Sequence, residues 1–310
     1  MKKNRRLFLQ IIICLGLVLT TCACRRDNME DISIITTNYP NEYIISSLYG
    51  KHATISSVYP DGVNTKTYKI TNKRKEDLAS QDLLIYTGLI ERERNLAVKL
   101  LDYNSDLKII DSSYVLEDNN DTEELWNDPS FMLMMCQNVR ISLKEYVENN
   151  YLRKEIDKNY ETLKITVSEL DANIRLAVEN APYKTIVTSN SAYKFLEKYG
   201  VKVYLVNDDT SSKDLSEIDT LIKQGKITKI FNYEEDKTTA NVQNIINKYP
   251  NTISFVSFKH MNLLTEEARK NKSDYVTLMN QNLDTLKEEL YHGTSDEQNW
   301  KQVFSSLTSR

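Results

Sequence analysis

From residue 31 onward, apolar residues arrive in short runs rich in Ile, Val and Tyr, separated by stretches with helical spacing. Runs at 32–37, 53–58, 83–87 and 107–110 read as strands. Between them, 41–48, 72–80 and 91–101 repeat apolar positions every three or four residues, as helices do. Strand, helix, strand in this rhythm predicts a parallel sheet covered by helices. The rhythm restarts near Lys184, with strand runs at 185–188, 202–206, 229–232 and 252–256 and helical patterns at 192–199, 213–223 and 240–248. Thr36-Thr37-Asn38 and Thr188-Ser189-Asn190 follow the first run of each set. The expectation is two similar lobes.

The stretch between the lobes is wholly helical in pattern. Asp128-Pro129 predicts an N-cap followed by proline in the first turn, opening a helix that runs to about Tyr146. After Asn149-Asn150, Leu152, Ile156, Tyr160, Leu163, Val167, Leu170, Ile174 and Val178 form one unbroken stripe at spacings of three and four. A helix over 151–180 would be about 45 Å long, enough to lie along both lobes. A coiled-coil dimer is the competing use of such a stripe, but strand-rich lobes on both sides need a shared spine, which favours a monomer. The predicted class is α/β, two (βα)n lobes with parallel sheets joined by one long spanning helix. Its parts are a leader (1–24), a tether (25–30), an N-terminal lobe (31–150), a linking helix (151–181) and a C-terminal lobe with its tail (182–310). Lobes pinned to one helix rock only slightly, which suits a small ligand held between them.

The first 24 residues change the picture of location. Lys2, Lys3, Arg5 and Arg6 precede an apolar run through Leu19 that ends in Thr-Thr-Cys-Ala-Cys. The run is shorter than the roughly 20 residues of a spanning helix, so it reads as an export signal. Ala23 before Cys24 resembles a lipobox, which implies a lipid on Cys24 and an extracytoplasmic, membrane-anchored body; Cys22 is the alternative site, and an uncleaved N-terminal anchor is the other reading. Removing the four leader charges takes the net charge from −4 to −8. An acidic body without a basic stripe excludes nucleic acid as a partner. With only 7 glycines in the chain there is no phosphate-cradling motif. No GxSxG, HExxH or Cys/His pair marks an enzyme. Cys136, among methionines and leucine, reads as a core thiol, and the tail residues Trp300, Val303, Phe304 and Leu307 as a short amphipathic helix.

Several ordered segments carry a resemblance: Thr36-Thr37-Asn38-Tyr39-Pro40, Gly62-Val63 leading to Tyr68, Leu78-Ala79-Ser80-Gln81-Asp82-Leu83 and Trp126-Asn127-Asp128-Pro129. In the second half come Val187-Thr188-Ser189 with Ala192-Tyr193, and Ser212-Lys213-Asp214-Leu215. Together with the leader they resemble the zinc- and manganese-binding receptors of metal ABC importers, over nearly all of 31–290. The resemblance implies an ABC permease as partner and zinc or manganese as ligand. It also implies a site between the lobes built from three histidines, or two and a glutamate, plus an aspartate.

Carried over one by one, the family's ligand positions fall on Lys66, Glu124, Asn190 and, after the last strand, Ser257. A lysine ligand must shed its proton, which costs about 4 to 5 kcal/mol at pH 7 from an ordinary pKa of about 10.4. The expectation is therefore that Lys66 takes the cation's place and pairs with Glu124, with Asn190 hydrogen-bonding the pair. Of the histidines, His52 and His292 read as surface residues, and His260 lies near the cleft. Glu234-Glu235-Asp236 reads as acids favouring a helix N-terminus. Four functions remain open: an importer receptor with a degenerate metal site; a receptor for another small, anionic ligand; metal binding through a non-standard set that includes Glu124, His260 and acids from Glu234-Glu235-Asp236; and a surface adhesin or structural lipoprotein.

Overall fold

The computed structural model describes residues 29–117, 124–233 and 238–293. The first lobe runs β1 (Ile32–Thr36), α1 (Tyr39–Tyr49), β2 (Ala53–Ser57), α2 (Asn72–Ala79), β3 (Leu83–Tyr86), α3 (Glu91–Tyr103) and β4 (Lys108–Asp111). Its strands are all parallel, in the order β2-β1-β3-β4. Two helices then carry the chain across, α4 (Pro129–Tyr146) and α5 (Asn150–Glu179). The second lobe repeats the plan: β5 (Thr185–Thr188), a 3-10 helix (Ser191–Tyr199), β6 (Lys202–Leu205), α6 (Ser212–Lys223), β7 (Lys229–Tyr233), α7 (Ala240–Lys248) and β8 (Ser254–Phe258). These strands are parallel too, in the equivalent order β6-β5-β7-β8. The short α8 (Glu266–Lys270) and the long α9 (Tyr275–Leu290) complete the described chain.

Side-chain caps decide where the helices begin. The amide oxygen of Asn38 accepts the Asn41 N–H at 3.0 Å, so α1 starts two residues earlier than apolar spacing alone predicts, with Pro40 in its first turn. Asp128 and Asn149 cap α4 and α5 in the same manner, each satisfying amides that a helix end leaves without partners.

Every residue of the predicted α5 stripe is buried, from Leu152 through Val178. The helix packs against α1 and α4, and against α9 and the 3-10 helix of the second lobe; Tyr291 reaches across to the Ala177 carbonyl (2.8 Å). One core cluster accordingly runs continuously from Met29 through the spine to Tyr291.

The helix is not the only tie between lobes. After β8 the chain leaves the second lobe and lies on the first. Leu263 is buried among Ile35, Val58, Tyr59, Leu78 and Leu84, a cluster otherwise made of first-lobe residues. Tyr39 N–H donates to the Asn262 carbonyl (2.7 Å) and Gly62 N–H to that of Leu264 (3.1 Å). The long helix expected between the lobes is there, and this crossing adds to it.

Two histidines read as surface residues are engaged. His52 meets Glu155 of the spine at 3.2 Å. His292 stacks on Tyr183, with its two ring nitrogens on the carbonyls of Glu289 (2.5 Å) and Gly225 (2.8 Å). Cys136 is fully buried, and burial pushes its thiol pKa well up, as a core cysteine requires.

Candidate functional site

In each sheet the strand order reverses beside the first strand, and ligands of open parallel sheets bind beyond the carboxyl ends at that point. The residues there are Thr37-Asn38 and Thr87 in one lobe, and Ser189-Asn190 with the end of β7, Asn232-Tyr233, in the other.

On the first-lobe side the loop is fixed by a completely buried carboxylate. Glu93, near the start of α3, accepts the Thr37 hydroxyl (2.5 Å), the Thr87 N–H (2.9 Å) and the Asn38 amide at both oxygens (3.2 Å each). Burial raises its pKa, and these donors act against the rise. Sequence reasoning missed Glu93 because an exposed-looking charge in a helix gives no sign of what the sheet will cover.

The lobes meet around Glu124 and the 3-10 helix Leu125–Asn127. The Asn127 amide donates to the Tyr233 hydroxyl at 2.5 Å, and His260 Nε2 lies 3.0 Å from Glu124 Oε1. Behind His260 stands an aromatic column. Phe231 stacks on Phe258 (4.7 Å) and Phe258 on Tyr193 (3.9 Å); Tyr193 leans on Tyr233 (5.6 Å), whose ring meets His260 edge-on (5.4 Å). Burial, with the Glu124 charge nearby, pushes the Tyr193 and Tyr233 phenols up, so both remain neutral donors and acceptors.

The imidazole polarity follows from its neighbours. The Asn262 backbone N–H donates to His260 Nδ1 at 3.1 Å, so Nδ1 supplies a lone pair and Nε2 carries the proton, which it offers to Glu124.

Of the four positions carried over from the resemblance, Glu124 alone is buried. Lys66 is exposed on its loop, while its neighbour Thr65 is buried and bonded to Asn262 (2.8 Å). Glu124 is buried against His260. Asn190 uses its amide oxygen to cap the 3-10 helix at the Ala192 N–H (2.8 Å). Ser257 is exposed inside β8, opposite Asn232, because the strand runs on to Phe258 rather than ending at 256. From that strand end it is His260 that reaches the cleft. Among the described residues no group of three or more His, Cys, Asp or Glu side chains is placed to hold a metal ion. Glu234-Glu235-Asp236, Cys22, Cys24 and the tail from 294 lie outside the described residues. No helix among the described residues is long and apolar enough to cross a membrane.

The ZnuA family, described as zinc-uptake complex component A, periplasmic, matches residues 34–289. The chain belongs to this family. Among curated relatives, the zinc-binding lipoprotein AdcA of Streptococcus pneumoniae is 22% identical, with 88% of this chain covered. The chain spans only 58% of that relative's length. Among solved structures, the Zn(II)-bound ZnuA-like domain of S. pneumoniae AdcA aligns with a TM-score of 0.66 at 22% identity, covering 84% of this chain and 99% of the domain. The metal-dependent lipoprotein YcdH of Bacillus subtilis gives 0.68 at 17% identity, covering 84% and 99%. At these identities the structural likeness establishes the two-lobed fold, and family membership rests on the match over 34–289.

Proposed function

We propose that this member of the ZnuA family is the extracytoplasmic solute-binding component of a metal-type ABC importer, lipid-anchored through Cys24 or Cys22, whose cleft has exchanged its metal-ligand set for a hydrogen-bonded pair. The family match supports the receptor role and a permease as its partner. The anchor is supported by the lipobox-like leader and by the relative named a lipoprotein. A solute receptor performs no chemistry on its ligand, in keeping with the sequence pattern.

The observation that carries the exchanged site is the polarity around His260. A histidine that binds a metal through Nε2 keeps its proton on Nδ1 and donates it to a carbonyl or carboxylate. Here Nδ1 faces a donor, the Asn262 N–H. Moving the proton to Nδ1 would set two N–H groups against each other and strip that amide of its acceptor, a penalty of about 1–3 kcal/mol before any ion is bound. Zinc sites also need three or four protein donors, and the position of the first family histidine holds a lysine. His260 joins Glu124 in this reading, beside the pairing expected of Lys66 with Glu124.

The test is elemental analysis of the purified full-length protein with melting curves in the presence and absence of chelator. The expected result is far less than one equivalent of zinc or manganese and an unchanged melting temperature. One tightly held equivalent, with a melting temperature that falls on chelation, defeats the exchanged-site reading and favours a non-standard ligand set.

A further inference from the structure

His260 opens the segment that leaves β8 and crosses to the first lobe, with Met261 and Leu264 buried in the main core cluster along the way. Leu263 fills a gap in the first-lobe core. Asn262 gives its carbonyl to Tyr39 and its side-chain amide to Thr65 (2.8 Å). At the far end, Arg269 of α8 is gripped by two first-lobe carboxylates: Glu42 of α1 (2.8 and 3.3 Å) and Asp61 after β2 (2.5 and 2.8 Å). A planar guanidinium held by two carboxylates is a directional clamp that lysine cannot reproduce.

The crossing has a mechanical consequence. With α5 joining the lobes along one line and this strap along a second, the cleft cannot widen by hinging unless the strap lets go. Because Asn262 also supplies the N–H that holds His260 Nδ1, release removes the partner that sets the imidazole's tautomer and its bond to Glu124. We propose that residues 260–269 form an inter-lobe latch, with Arg269 as its clasp, and that docking of the latch positions His260 in the cleft. The inference deepens the reading of the cleft as the ligand site and depends on it only for its functional meaning.

The test is amide hydrogen exchange on the full-length chain, read at Tyr39 and Gly62, whose N–H groups donate into the strap. Arg269→Gln is expected to speed exchange at both amides at least tenfold, while amides within β5–β8 stay at wild-type rates; Leu263→Ala is expected to do the same from the other end. Arg269→Lys is expected to fall between wild type and Arg269→Gln. Lys202→Gln, which removes an exposed pair with Glu217 in the second lobe, serves as the control and should leave both amides unchanged. The ring nitrogen-15 signals of His260 provide the positioning readout. In wild type, Nδ1 should read as unprotonated; in Arg269→Gln it should move toward a mixed tautomer. Unchanged exchange at Tyr39 and Gly62 in both variants, exchange rising equally across both lobes, or an unmoved His260 signal would each overturn the latch. Metal content is measured on the same samples, so a zinc-loaded protein would sink the exchanged-site reading while the exchange rates still decide the latch.

Discussion

Removing the Glu93 carboxylate is the most incisive test of how the first-lobe side of the cleft is held. In Glu93→Ala the donors fare differently. The Thr37 hydroxyl has a second acceptor in the Ile85 carbonyl (3.5 Å), and the Asn38 amide has the Thr87 hydroxyl (2.9 Å). The Thr87 N–H loses the acceptor it has at 2.9 Å. A buried amide left without a partner costs about 1–3 kcal/mol, and hydrogen bonds to a charged group are worth about 1.5–3 kcal/mol each. Against this, the variant no longer has to desolvate a charge. The net expectation is a loss of about 3 kcal/mol in urea-unfolding free energy. Glu93→Gln keeps the acceptor for Thr87 and Thr37 but sets its amide nitrogen against that of Asn38, so it should lose less, about 1–2 kcal/mol. The pH dependence has a definite sign. A carboxyl whose folded pKa is raised binds protons more tightly folded than unfolded, so its contribution to stability falls as pH rises from the ordinary glutamate range through the folded value. Glu93→Gln should remove that slope. A loss below 1 kcal/mol in Glu93→Ala, or an alanine variant more stable than the glutamine one, would refute the closed network.

Leu163→Ala, at a buried position in the middle of the spine, should cost about 2–5 kcal/mol in chemical denaturation; Ile165→Ala, exposed on the same helix, should stay within about 0.5 kcal/mol. Asp157 receives Arg140 (2.7 Å) and Lys144 (2.7 Å). Partial burial works against its ionisation, but the bonds from Lys144 and Arg140 prevail and lower its pKa. Its stabilisation is thus present above the ordinary aspartate range and lost as pH falls through the folded value. Asp157→Asn should flatten the acid side of a melting-temperature profile and leave acid-range stability unchanged.

Much of the architecture was legible because it is written in local periodicity. The spine stripe, the cap at Asp128, and the alternation of β-branched runs with helical spacing each depend on residues a few positions apart. Such patterns survive any tertiary arrangement that buries one face. Boundaries shifted where a cap outranked apolar spacing, as at Asn38, or where a strand ran past its apolar run, as at β8. That second shift leaves Ser257 inside β8 rather than after it.

The sequence alone determined the α/β class, the paired lobes and the long helix between them. Only the tertiary structure decided which groups face one another. Glu124 took His260 because the chain after β8 crosses to the other lobe. Glu93 became a buried anchor because α3 packs its first turn onto the ends of β1 and β3. The polarity of His260 was set by a backbone N–H two residues away, in a turn held by the first lobe. Hydrogen-bond direction and burial are properties of atoms that the tertiary fold brings together, and no local pattern of side chains encodes them.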